Sequence, residues 1–432
     1  MKTLNYKDYN FKSELSFLDR RPIPSTKLAR TVSTIIRKVL KGGDRALVDI
    51  CNQFSEEELE VSDIEVKSRP SKPSAKIRKA LEEAHQNIVR FSRSQLPKKW
   101  IGKNTQGAEV GEIYKPLERV GIYVPGGTAP LVSTALMTVA IAKVAGVKQI
   151  VVCSPGPIDP VMHYAIMMSG ANEVYQVGGA QAIAALAYGT EQIKPVLKVF
   201  GPGNAYVVEA KRQVFGIVGV DLIPGPSEIA VVADETANPA FVASDLLAQA
   251  EHGPGSSIYM MTPSLSFLEA VQLEVQKQLT ALSRKEYLNE TLHKGCYLIL
   301  TRNLSQALEI ADQIAPEHLS LVCRKADKWV SKISNAGAIF IGHYSPVALG
   351  DYMAGPSHTL PTGGAGKAFP GLMVEQFMKR TSIVSYNERA LEKSWKTLDT
   401  LTSLEQMDAH KASVKIRMKA KANKRPSGQA KK

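Results

Sequence analysis

The chain has 432 residues, 44% of them apolar, 6% aromatic and 22% charged, which fits a soluble globular protein of two or more domains and excludes a collagen-like, disordered or disulfide-stapled chain. Its net charge of +13 suggests a nucleic-acid partner, but nine of those charges fall between Lys411 and Lys432, where seven Lys and two Arg stand without an acid or an aromatic residue; the tail reads as a solvated extension, and no nucleic-acid partner is expected. With no run of 18 apolar residues, no secretory h-region in "MKTLNYKDYNFKSELSFLDRRP" and four scattered cysteines (Cys51, Cys153, Cys296, Cys323) without C-x-x-C, the expectation is a cytoplasmic protein with no membrane span and no disulfide framework.

In chain order, "TVSTIIRKVLKGG" and "DRALVDICNQF" predict two helices, the first capped by Gly42 and Gly43. "SAKIRKALEEAHQNIVRFSRSQL" predicts an amphipathic helix with Ile77, Leu81, Ile88 and Phe91 on one face. From Arg119 the character changes. "RVGIYVPGG", "LVSTALMTVAIAKVAG" and "VKQIVVCSPGP" form a β-α-β unit, and the alternation continues through "ANEVYQVGGAQAIAALAYGT" and "VLKVFGPGNAYVVEAKRQVFG". It resumes from "SEIAVVADE" through "FVASDLLAQAEH", "SSIYMMTP" and "GCYLILT" to "HLSLVC" and "AGAIFIG". Such alternation predicts parallel sheets with helices on both faces, with strands enough for two sheets. Ser345–Gly371 is turn-rich and expected to be irregular; Leu372–Met378 and roughly Glu388–Met418 are expected to be helical.

Parallel α/β sheets bind ligands at strand carboxyl ends, here "YVPGGTAP", "QVGGAQ", "FGPGNAY" and "IPGPSE". Neither G-x-G-x-x-G nor a P-loop is present, and isolated turns of this kind are often plain loops. Beside them, however, Tyr123, Gln181 and Asn204 stand where they can face one crevice. Four of the eight histidines lie in polar clusters at element boundaries: His252, His318, His358 and His410. Asp351 precedes His358 by seven residues and Glu405 precedes His410 by five. Imidazole and oxygen groups without thiolates suit zinc or another divalent ion, although no H-E-x-x-H spacing supports it. In "APEHLSL" Pro316 breaks a helix and puts Glu317 and His318 at a strand start, with side chains expected on opposite sides. In "DLLAQAEHGPG" Gln249 and His252 lie about 60° apart on a helix, whereas Glu251 falls about 200° from Gln249 and points elsewhere.

The segments "RVGIYVPGGTAPLVSTALMTVAIAKVAGV", "VGGAQAIAALAYGT", "FGPGNAYVVEAKR", "GPSEIAVVAD", "DLLAQAEHGPGS", "APEHL", "GDYMAGPSHTLPTGG" and "KRTSIVSY", in this order, resemble the histidinol dehydrogenase family. That resemblance implies NAD-linked, zinc-dependent oxidation of L-histidinol through the aldehyde to L-histidine, the last steps of histidine biosynthesis. It implies zinc on Gln249, His252, Asp351 and His410, and Glu317 and His318 as the acid/base pair. Ser227, His358 and Glu405 would hold the substrate together with the zinc ligands and His318. Tyr123, Gln181 and Asn204 would contact NAD. It also implies a homodimer in which Glu405 and His410 reach the partner's active site. Together with the alternation it implies an α/β fold of two Rossmann-like parallel-sheet domains without the usual glycine fingerprint, plus small N- and C-terminal helical segments. The expected division is a 1–24 arm, an α/β substrate/metal domain from 25–118 and 229–375, an NAD-binding domain at 119–228, and a C-terminal segment 376–432.

Within this reading, His318 is the candidate for taking the hydroxyl proton and Glu317 for activating the water of the second oxidation. Two positions depart from the family pattern: Ser357 where Asn is common before the His, and Gln406 where Gly commonly follows the Glu. The alternatives are an NAD-dependent dehydrogenase of another small alcohol on the same scaffold, or a basic nucleic-acid-binding protein, which would leave the Gln, Glu, His and Asp clusters without a purpose.

Overall fold

The computed structural model describes residues 1–18, 25–54, 57–126, 130–253 and 255–422. The end of the expected 1–24 arm, positions 127–129 of the "YVPGGTAP" turn, Pro254 of "AEHGPG" and the basic tail beyond 422 lie outside the described residues. The chain forms two compact units, one of Met1–Gln95 with Leu117–Phe377 and one of Leu96–Pro116 with Met378–Lys432.

In the first unit the strand–helix alternation builds two parallel sheets, as expected. The larger runs Lys2–Asn5, Cys296–Leu300, Ser257–Thr262, Glu228–Ala233, His318–Val322 and Ala338–Ile341, every neighbour parallel. Its central strands are continuous apolar runs because helices cover both faces. The pleat divides them cleanly. Ile229, Val231 and Ala233 enter a core with the Pro239–Ala250 and Leu265–Leu279 helices, while Ala230 and Val232 enter the core under Leu304–Ile314. Part of the N-terminal arm is therefore structural, since Lys2–Asn5 is the edge strand.

The smaller sheet runs Glu173–Tyr175, Gln149–Cys153, Arg119–Tyr123, Lys198–Phe200 and Gly219–Val220, also parallel. The Val132–Val144 and Gly179–Tyr188 helices beside it are buried almost all round, which is why their sequences carry no polar face. Thr26–Cys51, grouped above with the substrate/metal domain, packs on this sheet instead: Val32, Ile36, Val39, Leu47 and Ile50 share a core with Ile183, Ala187 and Val207. Its apolar stripe finds a partner in the helices of the smaller sheet rather than in those of the larger one. The two predicted helices here form one element broken at Gly43 (φ 50°, ψ −136°), where any Cβ would lie 2.2 Å from the Glu191 carboxylate that accepts the Asp44 N–H. In Ala75–Ser94 the buried stripe is Leu81, Ala84, Ile88 and Ser92; Ile77 and Phe91 flank it and stay exposed. Ser345–Gly371 is irregular apart from Val347–Tyr352 and a single turn at Ala365–Lys367, and the helix expected at Leu372–Met378 is reduced to the turn Val374–Phe377.

The second unit holds an antiparallel sheet that the sequence did not announce, in the order Met378–Ser385, Glu109–Pro116, Trp100–Lys103. The predicted C-terminal helix is two helices, Glu388–Leu404 and Asp408–Ala422. Between them Gln406 has φ 56°, a left-handed conformation that glycine adopts freely and glutamine only with strain. Among the described residues no helix is long and apolar enough to cross a membrane, and the four cysteines are free.

One wall of the smaller sheet is set by a fully buried ion pair. Lys211 Nζ bonds the Asp221 carboxylate and donates to the Gly201 carbonyl at 2.9 Å, while Asp221 accepts the Gly201 N–H at 2.7 Å. Both polar groups of the Gly201 peptide are thus held by partners that hold each other. Replacing one ion leaves the other buried and unpaired at a cost of about 3–5 kcal/mol, whereas apolar replacement of both is far milder. Lys211→Met is expected to lower the thermal midpoint strongly and Lys211→Met/Asp221→Leu to recover most of the loss, read by thermal unfolding.

Candidate active site

Two places in the first unit gather the polar residues singled out from the sequence. The first is a crevice of about 650 Å3 at the carboxyl ends of the smaller sheet, lined among others by Tyr123, Gln181 and Asn204 with the Gly178–Gly179 turn. The three side chains share one crevice, as expected, and each also serves the fold. Tyr123 Oη accepts the Gly179 N–H at 3.1 Å, and Gln181 Nε2 donates to Cys51 Sγ at 3.6 Å. Asn204 Oδ1 caps its helix by accepting from Tyr206 and Val207 N–H groups. Two helix starts, at Gly179 and Ala205, open toward this crevice, leaving their N-terminal dipoles and amides near any bound phosphates. The residues therefore fit a dinucleotide without the usual glycine fingerprint.

The second place lies at the amino ends of the larger sheet, not at its carboxyl ends. Glu228 and His318 begin adjacent strands, and the Pro239–Ala250 helix, returning antiparallel to them, brings Gln249 and His252 to the same end. Glu317 precedes its strand by one residue, so the alternation that would send it and His318 to opposite sides does not yet apply. Instead Glu317 Oε2 is 3.7 Å from His318 Nδ1. The Glu228 main chain holds both: its N–H donates to Glu317 Oε2 at 2.9 Å, and its carbonyl lies 3.0 Å from His318 Nδ1. Ser227 Oγ donates to the same Glu317 oxygen. Because a carbonyl only accepts, Nδ1 carries the proton and His318 Nε2 presents its lone pair. Nε2 has no hydrogen-bond partner and lies 3.7 Å from Asp351 Oδ1, beyond bonding distance.

A cavity of about 390 Å3 opens beside these groups, with His318, Asp351 and His358 in its lining and Phe340, Leu349 and Leu360 among its apolar walls. Burial pushes the Glu317 carboxyl up to about 7, with Glu228 adding to the rise against the pull of His318 and the bonds from Ser227 and Glu228. Burial also opposes a charged His318, but the Glu317 and Asp351 carboxylates outweigh it and raise its pKa. At Asp351 desolvation is overcome by the imidazoles of His318, His358 and His252, and its pKa falls. His358 is lowered by burial; its Nδ1 lies 3.2 Å from the Asp351 carbonyl and its Nε2 3.1 Å from Thr134 Oγ1.

On the Pro239–Ala250 helix Gln249 is 2% exposed, whereas Glu251 and His252, in the turn that follows, are both exposed, so burial sets Gln249 apart but does not separate His252 from Glu251. Gly253 follows with φ 100°, and a Cβ there would sit 1.8 Å from the Tyr287 hydroxyl, so the chain leaves His252 by a path that requires glycine. Among the described residues no three His, Cys, Asp or Glu side chains stand close enough to hold a metal ion. Of the ligand set implied by the resemblance, the first unit holds His252, Asp351 and the Gln249 amide. The Gln249 Nε2 atom is buried without a partner. A buried amide lacking a partner fits a site completed by a cation, since turning the amide presents its oxygen. Glu405 and His410 belong to the second unit, where both are exposed.

Sequence reasoning missed two residues here. Glu228, buried in "GPSE", also accepts the Gly363 N–H on its side chain at 2.9 Å. Thr134 was hidden in an apolar helix, and only its position opposite His358 reveals it. Ser357, one of the two departures, is engaged: its hydroxyl donates to the Met137 carbonyl at 3.2 Å and accepts the Thr359 N–H at 3.2 Å.

A strand-end crevice large enough for a dinucleotide and a buried carboxylate–imidazole pair at another set of strand ends are the equipment of an α/β enzyme. The family profile for histidinol dehydrogenase matches residues 18–418. The histidinol dehydrogenase of Listeria monocytogenes is 44% identical over 91% of this chain and 93% of its own length; that of Mannheimia succiniciproducens is 40% identical over 97% and 99%. The crystal structure of histidinol dehydrogenase from Elizabethkingia anophelis superposes with a TM-score of 0.91 at 34% identity, covering 97% of this chain and 98% of that one. The chain belongs to the histidinol dehydrogenase family.

The Glu317 shift has a consequence for stability. A carboxyl at 4.5 in the unfolded chain and about 7 when folded binds its proton more tightly in the folded state. Its contribution is then fully present below pH 4.5, declines as pH rises through 7, and is constant above that, a loss of about 3 kcal/mol at most. Glu317→Gln is expected to flatten this part of the curve, so that the variant gains on the parent between pH 5 and 8, read as thermal midpoint against pH.

Proposed function

We propose that this chain is a zinc-dependent, NAD-linked oxidoreductase that converts L-histidinol through the aldehyde to L-histidine, acting as a homodimer. The observation that carries this reading is the Glu317–His318 pair on the Glu228 main chain, with the bare His318 Nε2 facing Asp351. Gln249, His252 and Asp351 would hold zinc together with His410 of the partner subunit. Ser227 and His358 would line the substrate site, completed by Glu405 of the partner subunit, and Tyr123, Gln181 and Asn204 would contact the dinucleotide. When bound, the dinucleotide accepts a hydride in each oxidation and zinc fixes the substrate's imidazole and amine.

His318 Nε2 takes the hydroxyl proton as the carbinol C–H bond breaks; its raised pKa makes that acceptance favourable near neutrality. Glu317, at about 7, is part ionised at the same pH and draws a proton from the water that adds to the aldehyde, while His318 returns the proton it took to the former carbonyl oxygen, giving the gem-diol. His318, neutral again, accepts the second hydroxyl proton, and Glu317 releases its own to solvent. The Glu228 main chain keeps both groups in place throughout. Burial of the pair keeps stray water from competing.

Adding L-histidinol and NAD+ to the protein is expected to yield two NADH per substrate, with loss of activity on chelation; one NADH, or none, would refute the reading. Glu317→Gln is expected to retain the first oxidation and to slow the second by about 10²-fold, the low end for losing a general base. Equal loss in both halves, read by supplying the aldehyde directly, would remove Glu317 from the water step. Gln249→Ala is expected to lower bound zinc, measured by elemental analysis of the purified protein.

A further inference from the structure

His358 was expected to meet substrate, yet within this chain both of its ring nitrogens are already occupied. Nδ1 is 3.2 Å from the Asp351 main-chain carbonyl, which accepts only, so Nδ1 bears the proton. Nε2, the remaining ring nitrogen, lies 3.1 Å from the Thr134 hydroxyl, which can donate to it. Thr134 is 2% exposed and lies in the first turn of Val132–Val144, a helix packed beside the smaller sheet. The same helix meets the loop twice more, through Ser357 Oγ to the Met137 carbonyl and His358 N–H to Met137 Sδ. Asp351, at the other end of this connection, stands 3.7 Å from His318 Nε2.

We infer that Thr134 is a positioning residue for the reaction: its hydroxyl holds the ring of His358 through Nε2 while Nδ1 anchors the Asp351 main chain, and so it sets where the Asp351 carboxylate stands against His318. This rests on the reading of His318 and Asp351 as active-site groups. The hydroxyl acts through geometry: the Asp351 carbonyl requires the proton on Nδ1, and Thr134 keeps the ring where that bond can form. If Nε2 carried the proton instead, the bare Nδ1 would face the Asp351 carbonyl and the loop would lose its tie. The effect should therefore fall on the groups around Asp351 and leave the dinucleotide crevice alone.

The test is Thr134→Val, which keeps the shape and removes the hydroxyl, beside Thr134→Ser, which restores it. Thr134→Val is expected to raise KM for histidinol by about three- to tenfold, the range of one lost hydrogen bond, with KM for NAD+ changed less than about twofold. Thr134→Ser is expected to return to the parent value. An unchanged histidinol KM, equal rises in both KM values, or failure of Thr134→Ser to rescue would overturn the inference. A readout independent of activity separates it from the proposed reaction: the full chain labelled with 15N-histidine, with the His358 signals assigned by their loss in His358→Gln. The parent is expected to show Nδ1 protonated and Nε2 bare and hydrogen-bonded, with Nε2 shifted in Thr134→Val and restored in Thr134→Ser. A protonated Nε2 in the parent, or no response to Thr134→Val, overturns the inference whatever the substrate proves to be.

Discussion

The buried cluster depends on the main chain of Glu228. At the beginning of a central strand its N–H and carbonyl would need partners in any fold. Here the N–H meets Glu317 and the carbonyl meets His318, two side chains adjacent in sequence and held on one main-chain unit. Stability and orientation are therefore served by the same two bonds. That coupling explains why the pair can be so deeply enclosed and still be held in one arrangement, and why the side chain of Glu228 reaches on to fasten Gly363.

Around that anchor, two carboxylates of one cluster are driven apart. Glu317 is enclosed and near another carboxylate, and its proton is held tightly; Asp351 is ringed by three imidazoles and gives its proton up readily. Neither residue type nor sequence position distinguishes them. Their surroundings do, and the division supplies one group able to exchange protons near neutrality and another that stays charged. His318 lies between the two and draws on both.

Most of the parallel architecture is legible in the sequence because its strands are apolar runs punctuated by Gly and Pro turns. The burial of Gln249 is legible as well from the helix's apolar face, but the helix ends at Ala250, so Glu251 and His252 both lie in an exposed turn where helical angles no longer sort them. The antiparallel sheet is not legible: Glu109–Pro116 pairs with Met378–Ser385 across more than half the chain, and exposed strands such as these carry no continuous apolar signal. Thr26–Cys51 shows its stripe but not which sheet will receive it. Thr134 has no local signature at all, because a hydroxyl in an apolar helix becomes meaningful only when the loop 224 residues later arrives beside it. The gathering of buried polar groups at the amino end of the larger sheet was equally hidden, since open parallel sheets bind ligands at the opposite end.

That placement has a consequence for charge. In the smaller sheet the crevice at the strand carboxyl ends is where helices begin, and helix beginnings carry partial positive charge that favours anionic groups. In the larger sheet the cluster at the strand amino ends is where the Pro239–Ala250 helix finishes, and a helix finish carries partial negative charge. One repeated β-α pattern, used from its two opposite ends, thus gives the same molecule a surface that attracts phosphates and another that attracts cations. A metal ion or a protonated amine arriving beside Gln249 and His252 meets a field of the right sign before it touches a single side chain.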